Sequence, residues 1–200
     1  MLGPIKKGSF SSGDAIGFGD AWEFGFTGAG GAMTQSTVIT GGYRLTAGPF
    51  DARVSWIAAG DAKLKASDDF TVVYRLSRPT DGAETTYLGL ATTPYATNTS
   101  QDIIQFYWAD TTDITVITDN GGTETTTSIS SAASNTEHTF RVDVTDDGEK
   151  VEFYLNDVLE ATHTTNIPTS TAMYVYVVQK SNSAVATYLD VGDVFAWRTS

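Results

Sequence analysis

Residues Thr139–Asp157 read TFRVDVTDDGEKVEFYLND, and the fold follows from this stretch. Phe140, Val142 and Val144 alternate with Arg141, Asp143 and Thr145. After Asp146-Asp147-Gly148-Glu149 the alternation resumes, with Val151, Phe153 and Leu155 set against Glu152, Tyr154 and Asn156. A period of two on both sides of an Asp-Gly turn is the signature of a β-hairpin. One face of this hairpin is apolar and the other polar, as in an antiparallel sheet with one side on a core and one in water.

The same reading extends along the chain. Strands are predicted at Trp22–Phe26, Val38–Leu45, Phe50–Ala58, Phe70–Leu76, Thr86–Leu90, Asp102–Trp108, Ile114–Thr118, Met173–Lys180 and Ala186–Trp197. Thr123–Thr136 reads as one edge strand and a loop. Turn signals separate them, among them Ala47-Gly48-Pro49, Arg78-Pro79-Thr80-Asp81-Gly82 and Asp119-Asn120-Gly121-Gly122. Apolar residues nowhere recur at helical spacing for three turns. About a dozen short strands with frequent turns predict an all-β fold, a two-sheet antiparallel β-sandwich. Residues 1–21, Gly- and Ser-rich with sparse apolar positions, form an N-terminal arm; residues 22–200 form the sandwich. The arm is expected to pair along the protein's own sheet or to dock on a neighbouring subunit.

Two hundred residues with 40% hydrophobic and 18% charged content suit one such domain with a large core and an uncharged polar surface. The formal charge is −12. That balance excludes nucleic acid, whose binding is driven by Lys and Arg displacing counterions, and disfavours anionic membranes. There are no cysteines, so disulfides and thiolate chemistry are absent. The opening MLGPIKKGSFSSGD has no apolar run after its lysines, so no signal peptide is expected. Met1 then favours synthesis in the cytoplasm. No segment reaches the roughly 20 apolar residues of a membrane helix. Asn98-Thr99-Ser100 fits the glycosylation acceptor pattern and, with no secretory signal, reads as chance.

Three pieces carry a family resemblance: the D-F-x-V-x-Y strand Asp69–Tyr74, the 139–157 hairpin followed by Ile167-Pro168, and the closing YLDVGDVFAW of Tyr188–Trp197. Together they resemble the concanavalin A-like (laminin-G/glucanase) jelly roll over roughly residues 22–198. The resemblance implies a fold shared by glycoside hydrolases, lectins, carbohydrate-binding modules and non-catalytic domains of phage and virus particles. It does not by itself imply an activity.

Retaining hydrolases need two carboxylates about 5 Å apart, and those of this family carry them on an E-x-D-x-E strand. No such strand occurs here. Asp146, Asp147 and Glu149 crowd a hairpin turn, and Asp143 and Glu152 read as isolated on its outer face. His138 and His163 read as exposed strand-end residues, and no Ser lies in a nucleophile elbow. The chain is therefore expected to be non-catalytic.

A binding face follows from parity. With Phe70, Val72, Tyr74 and Leu76 in the core, Thr71, Val73 and Arg75 face out. With Ile104, Phe106 and Trp108 inside, Gln105 and Tyr107 face out. With Met173, Val175 and Val177 inside, Tyr174, Tyr176 and Lys180 face out. The resemblance implies that these strands form the concave sheet on which glycans lie. Arg75, Gln105, Tyr107, Tyr174, Tyr176 and Lys180 then make an aromatic-polar patch suited to stacking on sugar rings. Ordinary cross-strand pairing, or burial under loops or a partner, explains the same residues equally. The resemblance also implies one structural Ca2+ beside an acidic residue before the last strand, matched here by Asp190, which a turn with Gly192 accounts for as well. Two functions stand against each other. One is a structural or adhesion protein of a phage or virus particle (capsid decoration, fibre or tail), partnered by other virion proteins or by itself as a homo-oligomer. The other is a secreted carbohydrate-binding module or lectin. A glycoside hydrolase ranks third.

Overall fold

A computed structural model describes residues 22–27, 32–48, 53–58, 63–78, 84–93, 102–109, 113–182, 184 and 186–199. The 1–21 arm and Asn98-Thr99-Ser100 lie outside these. The strands in chain order are β1 (Trp22–Thr27), β2 (Ala32–Gln35), β3 (Tyr43–Ala47), β4 (Arg53–Ala58) and β5 (Lys63–Leu64). Next come β6 (Phe70–Ser77), β7 (Glu84–Ala91), β8 (Ile103–Trp108), β9 (Ile114–Asn120) and β10 (Thr123–Ile129). The last are β11 (His138–Thr145), β12 (Lys150–Leu155), β13 (Val158–His163), β14 (Met173–Ser181) and β15 (Thr187–Arg198). One 3-10 turn, Ala66–Asp68, precedes β6. Among the described residues no helix is long and apolar enough to cross a membrane.

The strands form two antiparallel sheets of a jelly-roll sandwich. The eight-stranded sheet runs β1-β4-β14-β7-β8-β9-β10, with β5 beside β14; the seven-stranded sheet runs β13-β12-β11-β6-β15-β3-β2. The hairpin read from sequence is β11–β12, and its register places Phe140 opposite Leu155, Val142 opposite Phe153 and Val144 opposite Val151. Asp146 and Asp147 take positive φ in the turn, a conformation that Asp and Asn adopt more readily than other side chains. On β6, Phe70, Val72, Tyr74 and Leu76 are buried, as parity required. Inward rings from both sheets interlock: Phe106 of β8 meets Phe140 at 5.2 Å and Phe153 at 5.3 Å, both edge-on, the geometry that the ring quadrupole favours. A polar tie also crosses the core, where the Tyr74 hydroxyl of β6 donates to the Gly89 carbonyl of β7 at 2.8 Å.

The two histidines correct the sequence reading, for both are buried. His138 sits beside Trp108 and Phe140, and its ring nitrogens meet the Ala133 carbonyl (2.8 Å) and the Asn156 amide (3.0 Å). His163 of β13 reaches the other sheet, contacting Thr118 of β9 (3.0 Å) and Thr127 of β10 (2.9 Å). The Thr118 hydroxyl donates to the Thr165 carbonyl. His163 Nδ1–H therefore donates to Thr118, and Nε2 accepts from Thr127. Burial pushes the His163 imidazole down from its ordinary value, so the neutral ring belongs to the folded state.

The pH consequence has a definite sign. Below about 6.5 the unfolded chain takes up a proton at this histidine before the folded one does. The contribution of neutral His163 is thus complete above about 6.5 and falls as pH drops below that value. Melting temperatures of wild type and His163→Gln between pH 7.5 and 5 check this. The wild type is expected to lose more stability over that range, and parallel curves would refute the assignment.

Candidate functional site

The outward positions of the central strands of the eight-stranded sheet form one face. Cross-strand pairing arranges them in rows. Tyr176 of β14, Gly89 of β7 and Gln105 of β8 make one row, and Val178, Tyr87, Tyr107 and Thr115 make the next. Tyr174, Ala91 and Ile103 lie on one side, with Lys63 of β5 opposite Tyr174; Lys180 and Thr85 lie on the other.

Gly89 shapes the middle of this face. Its φ is +153°, and a Cβ there would sit 2.2 Å from the Ile104 carbonyl oxygen and 2.6 Å from the Gln105 Cα. No side chain thus rises between Tyr176 and Gln105, which lie two strands, about 10 Å, apart. The Tyr176 phenol crosses this gap and donates to the Gln105 side-chain oxygen. Burial pushes the Tyr176 phenol up from its ordinary value, and Tyr87 adds to the shift, so the hydroxyl stays a donor. Tyr176, at 3% exposure, packs with Ala91, Ile103 and Val178 into a small apolar cluster on which Tyr87 and Tyr174 rest. The half-buried Tyr87 and Tyr107 rings pair at 5.3 Å with a 43° tilt.

Five of the six residues expected from the sequence therefore share this face, in two different states. Tyr107, Tyr174 and Lys180 are partly open, whereas Tyr176 and Gln105 form a bonded floor beneath them. Arg75 is a correction. Its strand, β6, belongs to the opposite sheet. There its guanidinium is held by Glu137 at 2.7 Å and by Asp193 at 3.0 Å. Asp193 reaches it because β15 bulges between Val191 and Val194. Tyr87 was not singled out in the sequence, although its parity against Leu88 and Leu90 places it on this face. Lys63 left no signal, since β5 is two residues long.

The Asp190 carboxylate is engaged by Arg44. It is 1% exposed, and Arg44 takes both carboxylate oxygens, Nε to Oδ1 at 3.0 Å and the second nitrogen to Oδ2 at 2.8 Å. A bidentate fork of this kind commits one lone pair of each oxygen to Arg44. Among the described residues no group of three or more His, Asp or Glu is placed to hold a metal ion. Asp102 and Asp119 shape the β9–β10 turn instead, accepting from the Gly121 and Gly122 N–H at 3.0 and 2.6 Å. Burial pushes the Asp119 carboxyl up, the Gly122 N–H opposes it, and Asp102 adds to the rise. Asp143 and Glu152 are tied down as well: Asp143 to Thr71 (2.8 Å) and Arg141 (3.3 Å), Glu152 to Tyr154 (3.1 Å) and Lys150 (3.6 Å).

No protein-family model matches this sequence, and no curated protein sequence matches it. Solved structures do match. The chain is similar to a native glycosidic hydrolase with a TM-score of 0.67 at 14% identity, covering 90% of each chain. It is similar to the carbohydrate recognition domain of Emp47p with a TM-score of 0.65 at 13% identity, covering 94% of each. A third match is the β-glucanase of Bacillus licheniformis, TM-score 0.62, 12% identity, covering 80% of each. At these identities the likeness establishes the fold, the concanavalin A-like jelly roll.

Proposed function

We propose that this chain is a non-catalytic carbohydrate-binding domain that works by adhesion through the Tyr87–Tyr107 face, in the setting of a phage or virus particle. The observation that carries the reading is the pair of half-buried tyrosines seated on a bonded floor. Rings held in one orientation lose little entropy when a sugar stacks on them, and their hydroxyls reach its polar edge. The proteins that share the fold support it, since a carbohydrate recognition domain is among them. Binding without hydrolysis is supported by the residues at the outward positions of β7, β8 and β14. These are Thr85, Tyr87, Gly89, Ala91, Ile103, Gln105, Tyr107, Tyr174, Tyr176, Val178 and Lys180, with no carboxylate among them. The particle setting draws on the cysteine-free, Gly- and Thr-rich composition; secretion is the alternative setting.

A second reading gives the same face to a neighbouring subunit, and the apolar cluster around Ile103 and Val178 favours it. Fluorescence titration against a polysaccharide panel separates the two. Saturable binding is expected, weakened roughly ten- to a hundredfold by Tyr87→Ala with Tyr107→Ala, since each ring contact contributes about 0.5–1.5 kcal/mol beyond its buried area. Unchanged affinity of the double variant for a verified ligand would remove the face from the proposal. Absence of binding, together with concentration-dependent association that the double variant abolishes, would favour the subunit contact. Release of reducing sugar from any ligand would overturn the non-catalytic assignment.

A further inference from the structure

The charges around this face are distributed unevenly. The five described arginine side chains each meet a carboxylate: Arg44 with Asp190, Arg75 with Glu137, Arg78 with Glu84, Arg141 with Asp143 and Arg198 with Asp68, at 2.7–3.3 Å. Lys150 lies near Asp146 and Glu152. Lys63 and Lys65 have no carboxylate partner among the described residues. In a chain with 24 acidic residues against 12 basic ones, two lysines side by side without a carboxylate partner among the described residues need a reason.

Their placement supplies one. Leu64 is buried in the core, and Lys65 continues the extended backbone of β5. With side chains alternating along an extended chain, Lys63 and Lys65 both project to the outer side. Lys63 pairs across the sheet with Tyr174, and its ammonium stands 4.3 Å from the centre of the Tyr174 ring. A cation in that position is held by the ring quadrupole while keeping its full charge. The Tyr174 ring is therefore covered by an ammonium at this end of the face, whereas Tyr87 and Tyr107 remain the stacking rings. Tyr174 is four residues from Val178, the cross-strand partner of Tyr87, which is about 13 Å along the strand. A glycan of a few units spans that distance.

We infer that the ligand is an acidic glycan, one whose carboxylate groups meet Lys63 and Lys65 while a neighbouring ring stacks on Tyr87 and Tyr107. This rests on the carbohydrate-binding reading above and names its substrate class. The net charge of −12 does not oppose it at physiological salt. The screening length there is about 8 Å, and Asp119, in the same row as Tyr174, lies three strands or roughly 14 Å away.

The test pairs each acidic polysaccharide of the panel (polygalacturonate, alginate, hyaluronan) with its carboxyl-reduced or methyl-esterified form, titrated against the intact protein. The tightest ligand is expected to be acidic. Neutralising its carboxylates should weaken binding roughly three- to tenfold, in line with exposed ion pairs of up to about 1 kcal/mol each. Lys63→Gln with Lys65→Gln should erase the difference between the two forms. Raising salt from 0.05 to 0.5 M should weaken binding of the acidic form alone. A neutral polysaccharide as tightest ligand, or equal affinity for both forms, overturns the acidic inference and leaves the carbohydrate reading standing. A dextran sulfate that binds the lysine variant as tightly as wild type would show non-specific polyanion binding and also overturn it. Absence of binding by every polysaccharide overturns both proposals.

Discussion

Gly89→Ala is expected to lower the melting temperature by roughly 4–24 °C. A Cβ at this position would lie 2.2 Å from the Ile104 carbonyl oxygen, inside any tolerable contact. The obstruction is backbone, which cannot swing away as a side-chain tip can. Overpacking of this kind costs about 1–3 kcal/mol, and the φ of +153° adds roughly 1–3 kcal/mol of strain for any residue with a Cβ. Together about 2–6 kcal/mol is at stake, at about 2–4 °C per kcal/mol for a chain of this size. Gly121→Ala is the control. Its φ is also positive, +62°, but nothing lies within 4 Å of the added Cβ, so only about 1–2 kcal/mol of left-handed strain is expected. Thermal melts of the two variants followed by circular dichroism separate crowding from conformation. Equal shifts would mean that contact at Gly89 plays no part.

The second large effect lies under Trp108. Arg78 is 3% exposed and Glu84 fully buried, their charges 3.3 Å apart. The Arg78 guanidinium also stacks 4.0 Å from the centre of the Trp108 ring and donates to the Trp108 and Ala109 carbonyls. Removing one partner strands a charge out of water, so Glu84→Gln is expected to destabilise by about 3–5 kcal/mol. Replacing both, as Arg78→Met with Glu84→Gln, removes both charges and should cost clearly less than the sum of the single changes. Denaturant titrations of the four proteins close the cycle, and Trp108 emission reports locally on the pair. Additive single effects would show that the two residues act independently.

The core and the strands were accessible from sequence wherever one side of a strand is wet and the other dry. The 139–157 hairpin is the clearest case, and β6, β8 and β14 followed the same alternation. Strands without that contrast escaped. β13 exposes Val158 and Leu159 at an edge, and β5 is too short to show a period. Parity also tells which side of a strand a residue occupies but not to which sheet the strand belongs. Arg75 was grouped with Tyr107 for that reason, although β6 pairs with β11 and β15 while β8 pairs with β7 and β9. The histidines failed differently. Their bonding partners lie up to 45 residues away in the chain, and no local pattern reports such a neighbour.

The position of β14 and β15 has a consequence for how the chain acquires its structure. β14 lies between β4 and β7, and β15 between β3 and β6, so the last two strands complete the interior of both sheets. A ribosome delivering roughly 5–20 residues per second has released strands β1 to β13 while both gaps are still open. Four inner strand borders, on β4, β7, β3 and β6, then wait without partners for seconds, the condition under which unpaired edges seek other chains. Folding is thus postponed until translation has passed β15. Chaperones that shield those borders during synthesis are expected to raise the yield of folded protein.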